Sequence, residues 1–531
     1  MSPPHPSGGW PSEHRRLKLA DRVDSDVLVV GAGPVGLTLA LQARVMGASV
    51  RIVDRLPRPR DWAPALAVHP RTLEILRGLG VADRLIARSV AEVALEIHFP
   101  GSVVGGRLHH LTLPETEFPF ILFAPQPEVE AVLRERLLEL GVEIEWGTEV
   151  VDVDIEDGIA VSELTTGAGT EKLRARYVGG CDGAESAVRR SLGIPFPGRR
   201  YRQSIVVADV EATSELSPRT AHAFPRDGGL LFLFPLPSGE WRLIGPSRGH
   251  MQSVAGLVAT HTRGSLRVDD VRWVKEIVPQ HRIATRYRRG PVFLAGDAAH
   301  VHSPAGAQGM NTGIQDAANP GWKLALGARG APDSLLASYE TERRPVARQV
   351  LHLTGLASTL EVSEALPLRM ARKYLAKPVA SVLLPRPRLT SIFARVVSGL
   401  DTRYRKGAIG ESRSGHLKCR PGGRLPDVVL GDGSRLHDVI DAASFHLLVS
   451  HDLPLPTTAD DWLRIHSVNR KTMPVGADQV LVRPDGHVAI CGVAADRDDL
   501  DDYVRAWIGS AAPEVKPAPN GPPGTRPPLR S

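Results

Sequence analysis

Cysteine is scarce. The 531 residues hold three, Cys181, Cys419 and Cys491, and no Cys-x-x-Cys pair. That excludes a disulfide framework, a zinc ribbon and a dithiol redox site, and it points to a reducing, cytoplasmic setting. No uninterrupted apolar run approaches the ~18 residues of a membrane span. No internal repeat is present. Neither sign of charge dominates: 65 Lys and Arg stand against 59 Asp and Glu, a net charge of +6. The arginines are scattered in pairs and form no clustered stripe, so neither nucleic acid nor a membrane is expected as a partner. No metal site is expected either. Residues 1–23 are rich in Pro, Ser and Gly and lack an apolar core, so they read as a flexible leader and not a secretory signal. The Pro-rich stretch 509–531 reads as a disordered tail.

Between these ends the chain has an ordinary globular mix, 42% hydrophobic and 23% charged, so it is long enough for several packed units. An apolar strand, Asp26 to Val30, runs into a glycine-rich turn, a helix to about Met46 and a second strand, Ser49 to Val53. Val129, Val132, Leu133, Leu137 and Leu140 share one helical face, after Pro127 and before Gly141. From Tyr201 to Ile283 the pattern changes to short strands broken by Pro and Gly, an antiparallel layer. Helix returns from Gly306 to Leu326, and from Leu335 to about Leu400 with proline interruptions. The expected fold is α/β. A Rossmann-type nucleotide-binding domain (24–200 and 284–402) carries a substrate domain (201–283, with part of 90–120). A linker (403–423) then leads to a smaller unit (424–508).

Three motifs carry the chemistry. Gly31-Ala32-Gly33-Pro34-Val35-Gly36 follows a strand, opens a helix and is followed 18 residues after Gly36 by Asp54. The first glycine permits the tight turn, the second lets a pyrophosphate approach the backbone, and the third lets helix pack on strand. Free N–H groups at the helix start would hold the phosphates, and Asp54 a ribose. FAD and NAD remain equal candidates on this motif alone. The second motif is Gly180-Cys181-Asp182-Gly183, and the third is Leu294-Ala295-Gly296-Asp297-Ala298. Each is a strand ending in an acidic turn, where a carboxylate can hold hydroxyls of a cofactor chain. An ordinary Asx turn is the plainer account of either one alone.

Taken in this order, with Ser303 to Ala317 (SPAGAQGMNTGIQDA), Arg71-Thr72-Leu73-Glu74 and Gln126, the chain resembles the class A flavoprotein monooxygenases of the aromatic hydroxylase type. The likeness spans roughly residues 24 to 400. The unit at 424–508 is similar to the thioredoxin-like C-terminal domain of polyketide and phenol hydroxylases, without redox cysteines, and is expected to serve packing or homodimer contacts. The resemblance implies FAD, with NADPH or NADH as co-substrate bound transiently nearby. It implies Gly31, Gly33 and Gly36 at the diphosphate, Asp54 at the ribose and Gln126 on the adenosine side. Asp182 would lie near the pyrophosphate, and Gly296 and Asp297 at the ribityl chain. Pro304, Gly306, Gly309, Met310 and Asn311 would run beside the flavin ring. A helix starting near Gly309 would aim about half a positive charge at the reduced flavin. No catalytic side chain is implied, because the cofactor carries the chemistry. Oxygen would add at flavin C4a as a hydroperoxide and pass to an electron-rich aromatic carbon, in a polycyclic, polyketide-like substrate. Baeyer–Villiger insertion on the same scaffold is one alternative reading. A weakly active flavin protein that sequesters an aromatic ligand is another.

Phe232 and Phe234 share a strand face by alternation, with Phe224 and Trp241 near in sequence, and the four are expected to wall the substrate pocket. Two departures stand out. Ala63-Pro64-Ala65 occupies the place of the family's Ser-Arg-Ala, so a flavin-side arginine is missing. Pro320 replaces a usual Leu inside a helix, where it removes one hydrogen bond and is expected to kink the helix.

Overall fold

The computed structural model describes residues 23–509 except 110, 202, 227–228, 248–252, 363–365, 410–419, 452–461, 474–476 and 493–496. Of the expected leader and tail, only Val23 and Gly509 fall among these, and Cys419 with the middle of the linker lies outside them. No described helix is long and apolar enough to cross a membrane.

The chain opens with β1 (Ser25–Val30), α1 (Pro34–Val45) and β2 (Val50–Asp54), followed by α2 (Pro70–Gly78) and a hairpin of β3 (Ala94–Phe99) and β4 (Ser102–Arg107). Next come α3 (Gln126–Glu139), β5 (Ile144–Trp146) and the long β6 (Gly169–Gly180). A run of strands follows: β7 (Ile205–Ser214), β8 (Thr220–Arg226), β9 (Gly229–Pro235) and β10 (Trp241–Pro246). Then α4 (Val254–Thr262) leads into β11 (Leu266–Ile277) and β12 (Val292–Leu294). The helical part comprises α5 (Gln308–Ala328), α6 (Asp333–Val362), α7 (Leu366–Leu383) and α8 (Pro387–Ser398). The chain closes with β13 (Phe445–Ser450), β14 (Leu463–Val468), β15 (Gln479–Val482), β16 (Val488–Gly492) and α9 (Arg497–Tyr503).

Three sheets matter. The first is parallel in its centre, order β12-β6-β1-β2-β5, with β1 between β6 and β2. Its central β1 and the short β12 are apolar and buried on both faces, as parallel strands covered by helices must be. The second has the order β11-β7-β10-β9-β8-β3-β4. It is antiparallel except where β8 runs parallel to β3, a pairing that joins residues 94–107 to the strands of 205–277. The third, β14-β13-β15-β16, has β13 and β14 parallel and β15 antiparallel to β13, the strand arrangement of a thioredoxin-like unit.

α5 is buried along most of its length and packs on α1. A Cβ at Gly321 would come within 2.6 Å of the Gln42 Cβ, so glycine there is what lets the two helices approach. Pro320 lies inside α5, which continues through it to Ala328. Packing on nearly every side holds the helix where the missing N–H removes one bond. The third sheet shares the main core with the first, since Phe445 meets the ring of Trp322 of α5 edge-on at 5.4 Å. Cys491 is buried in its own core cluster with Val480, Val482 and Val488.

Candidate functional site

The glycine turn between β1 and α1 is shaped by close backbone approach. Gly31 has φ +102°, and a Cβ on it would sit 2.5 Å from the Cys181 carbonyl oxygen. A Cβ on Gly36 would lie 1.8 Å from the Gly31 oxygen. Gly33 differs: nothing stands within 4 Å of where its Cβ would be. So two glycines close the turn and the middle one faces open space, the cradle a diphosphate needs. The start of α1 has no side-chain cap and no acid in its first turn, which leaves its N–H groups free for an anion.

The three nominated carboxylates have different surroundings. Asp54 is spoken for: Oδ2 accepts from Ala32 N at 2.7 Å and Oδ1 from Leu56 N at 2.9 Å. It ties the end of β2 to the glycine turn, with lone pairs still left for a ribose hydroxyl. Asp182 accepts from Ala187 N and Val188 N through Oδ2, at 2.7 and 3.2 Å. Its Oδ1 is buried without a partner, and burial lifts its carboxyl above the usual range. Asp297 has no hydrogen-bond donor among the described residues. Its side chain reaches solvent but is ringed by protein, and that desolvation raises its carboxyl as well. Two carboxylates with unspent acceptor capacity beside the strand ends of the first sheet fit the hydroxyl-rich chain of a flavin dinucleotide. Gln126, the first residue of α3, donates to Glu130 Oε1 at 2.8 Å, and its backbone N–H to Ala65 O at 3.1 Å.

The segment before α5 is unusual. Gly306 has φ +74° and Ala307 φ +52°, the latter a left-handed conformation that a side chain resists. The start of α5 carries no side-chain cap and no acid in its first turn. Gly309 is open, its nearest neighbour to a Cβ being His302 Cε1 at 4.0 Å. Met310 packs in the core. The Asn311 side chain is fully engaged: Nδ2 donates to Ala67 O and Ala307 O, each at 2.8 Å, and Oδ1 accepts from His69 N at 2.9 Å. The Asn311 side-chain amide is therefore spent on holding the turn before α5, and the N–H groups left over at the helix start belong to the residues before it. Pro304 starts the turn and is exposed.

Several groups here escape a reading of the sequence. Asp316, fully buried in α5, accepts from Arg343 Nε at 2.7 Å and contacts His300 Nε2 at 2.6 Å. Burial opposes its charge, but Arg343 and His300 outweigh burial and hold its carboxyl below the usual range. It locks the Asp297 turn onto α5 and α6. Asp316 lies inside the Ser303 to Ala317 run, but nothing along the chain shows that it meets His300 and Arg343. His302 Nδ1 faces the Ser303 oxygen at 2.9 Å, so it carries the proton, and its buried Nε2 is left as an unpartnered acceptor. Burial lowers this imidazole to about 4, so it stays neutral.

The four nominated pocket aromatics do not stand together. Residues directly opposed across strands share a face, and the pairs Phe224↔Leu231, His222↔Leu233 and Leu233↔Leu243 put Phe224, with Trp241, on one side. That side packs under α4, with Phe224 1% and Trp241 4% exposed. Phe232 and Phe234 lie on the opposite face, stacked at 5.8 Å, with Phe234 5.5 Å from Phe123 and packed against Leu66 and Ala67. Phe224 and Trp241 are thus core residues and not pocket wall, whereas Phe232 and Phe234 stay half-buried on the other face. On their face Arg242, 1% exposed, pairs doubly with Asp209 at 2.7 Å and donates to Ala65 O at 3.0 Å. The Ala63-Pro64-Ala65 segment, which lacks its own arginine, is held by this one.

These features define an α/β flavoprotein with a dinucleotide cradle on one sheet and an aromatic-lined second sheet above it. A family model described as an FAD binding domain matches residues 24–354, and one described as the C-terminal region of aromatic-ring hydroxylases matches residues 418–511. The chain belongs to the FAD-dependent aromatic-ring hydroxylases, the class A flavin monooxygenases. It is 35% identical to a 12-dehydrotetracycline 5-monooxygenase/anhydrotetracycline 6-monooxygenase of Streptomyces rimosus, over 92% of this chain and 99% of that protein. It is 33% identical to a rifampicin monooxygenase of Rhodococcus hoagii, with the same coverage. Among solved structures, the anhydrotetracycline hydroxylase OxyS of Streptomyces rimosus superposes with a TM-score of 0.72 at 31% identity, covering 91% of this chain and 99% of that one. The chain is an FAD-dependent monooxygenase.

Proposed function

We propose that this enzyme hydroxylates an aromatic ring of a flat, polycyclic, polyketide-like substrate, using NADPH or NADH and O2. The observation that carries the substrate class is the stacked pair Phe232 and Phe234, 11° from parallel, on the face of the second sheet turned toward Leu66, Ala67 and Phe123. Such a shelf suits a flat aromatic system, by offset stacking and burial of apolar area. The tetracycline and rifampicin substrates in the relatives' names support the same class.

FAD, when bound, supplies reduction by the nicotinamide and the activation of oxygen. The residues of this chain do the rest. The free N–H groups of α1 take the diphosphate, and Asp182 and Asp297 take hydroxyls. The start of α5 aims N–H groups and a partial positive charge at the electron-rich side of the reduced ring. Phe232, Phe234 and Phe123 keep water from the reacting carbon. The low cysteine content, with no Cys-x-x-Cys pair, supports a reducing compartment, the cytoplasm.

The test is a panel of polycyclic phenols screened for stimulated NADPH and NADH oxidation, with product mass and NMR. A product one oxygen heavier, with a new phenolic carbon, is expected. A ring-expanded ester or lactone would replace hydroxylation by oxygen insertion. Oxidation that no aromatic stimulates would remove the proposal.

A further inference from the structure

On the α4 side of the second sheet, away from the Phe232 and Phe234 shelf, three side chains with metal-binding atoms converge. Glu96 and His98 lie on β3 two residues apart, and β8 runs parallel with His222 directly opposite Glu96, so all three share one face. His98 Nε2 is 3.0 Å from His222 Nδ1, and Glu96 Oε2 is 3.5 Å from the former and 3.4 Å from the latter. Nothing in the sequence spacing marks this trio, because 124 residues separate the two histidines.

The hydrogen bonding fixes what each atom can do. His222 Nε2 faces the Ser217 carbonyl at 3.3 Å, and a carbonyl only accepts, so Nε2 carries the proton and Nδ1 presents a lone pair to the cluster. Arg226 stands beside the cluster as a positive charge felt by His98, but its Nη1 donates to the His98 and Pro225 carbonyls and occupies none of the three ligand atoms. A lone pair, an imidazole nitrogen and a carboxylate oxygen therefore meet at one spot. A single proton can bridge only the 3.0 Å pair. It leaves Glu96 beyond a good hydrogen bond to either ring. A metal ion satisfies all three at once.

The spacing agrees. Bonds of about 2.1 Å opening angles of 90–110° set ligand atoms about 3.0–3.4 Å apart. The observed triangle has a point about 2.1 Å from all three atoms, about 0.9 Å off their plane. Glu96 is part-exposed, so solvent can complete the coordination, while His222 is buried and fixed from behind by Ser217. His98 is further held by stacking on Phe224 at 4.4 Å.

We propose that Glu96, His98 and His222 form a binding site for one divalent transition-metal ion of the zinc class, clipping β3 to β8. Two imidazoles and one carboxylate with an open position suit zinc, iron(II), cobalt or nickel, and not calcium or magnesium. The ion lies on the far face from the aromatic shelf. Its role is to hold the 94–107 hairpin on the substrate sheet, not to take part in turnover.

The experiment uses the FAD-loaded full chain, stripped with a chelator, dialysed against zinc and analysed for bound metal. Wild type is expected to retain one equivalent more than His98→Gln, and Glu96→Gln to bind that ion at least ten-fold more weakly. Zinc is expected to raise the melting temperature of wild type and not of either variant, with flavin content equal in all three. Equal zinc stoichiometry and equal thermal shift in wild type and Glu96→Gln would overturn the proposal. Should His98→Gln lose its flavin through misfolding, the part-exposed Glu96→Gln decides alone.

Discussion

Arg483 and Glu342 stand 141 residues apart and pair at 2.8 Å with neither side chain exposed. Around them Lys323 Nζ donates to the same Glu342 oxygen at 2.8 Å, and Asp485 accepts from Arg483. Two cations and two carboxylates thus meet in the buried seam between α5, α6 and the C-terminal unit. The charges balance, which is the condition under which such a network is tolerated. Burial opposes ionisation of Glu342, but Arg483 and Lys323 outweigh it and bring its carboxyl down to about 2.

Glu342→Gln should therefore destabilise the protein by about 3–5 kcal/mol at pH 7, since it leaves Lys323 and Arg483 facing one carboxylate. The folded pKa of Glu342 lies below its ordinary value. Its contribution is thus fully present above about pH 4.5 and fades as pH falls toward about 2. Urea midpoints of wild type and variant, measured from pH 7 down to pH 3, should converge as the acid is added. A gap that stays constant would show that the glutamate is not ionised in the fold.

Asp297→Ala should cost about 1.5–3 kcal/mol of FAD affinity, the worth of a hydrogen bond to a charged acceptor. The carboxylate makes no bond to the described protein groups, so the apoprotein should keep its melting temperature. Flavin dissociation followed by fluorescence checks the first half and calorimetry the second. Unchanged flavin affinity would return Asp297 to the status of a turn residue.

The nucleotide-binding half was legible because its signals are local. A strand, a glycine turn, a helix and a second strand follow one another, and Asp54 to Gly36 is a spacing along the chain. The placing of the four aromatics was half legible. Alternation fixes parity within one strand, so Phe232 and Phe234 were placed together. It says nothing of the register of β8 and β10 against β9, which is what sends Phe224 and Trp241 to the other face. The Arg483–Glu342 seam, the Asp316 lock and the Glu96 trio were invisible for one reason. Each joins residues that only tertiary packing brings within reach.

That split gives a paired test. Phe224→Ala, in the core under α4, should cost about 3–5 kcal/mol of stability. Phe234→Leu, on the half-buried shelf, should leave stability within about 1.5 kcal/mol. It should raise KM for the aromatic substrate, or uncouple NADPH oxidation from product. Denaturation and coupled product assays separate the two. Equal stability losses would mean that both faces are sealed core.

Ala307 precedes α5 at φ +52°, ψ +39°. A left-handed alanine costs roughly 1–2 kcal/mol against the right-handed form, and glycine pays no such penalty. Against this, glycine loses more freedom on folding, by roughly 0.5–1 kcal/mol. Ala307→Gly should therefore be neutral to about 1 kcal/mol stabilising in the apoprotein, the opposite of the usual effect of glycine next to a helix. The methyl also stiffens the turn, and a stiff turn fixes where the first N–H groups of α5 point. A looser turn should weaken FAD binding several-fold while thermal stability holds or rises. Melting curves of the apoprotein and flavin titrations of the same preparation give both numbers. Loss of stability with unchanged flavin affinity would show that the left-handed residue serves the fold and not the cofactor.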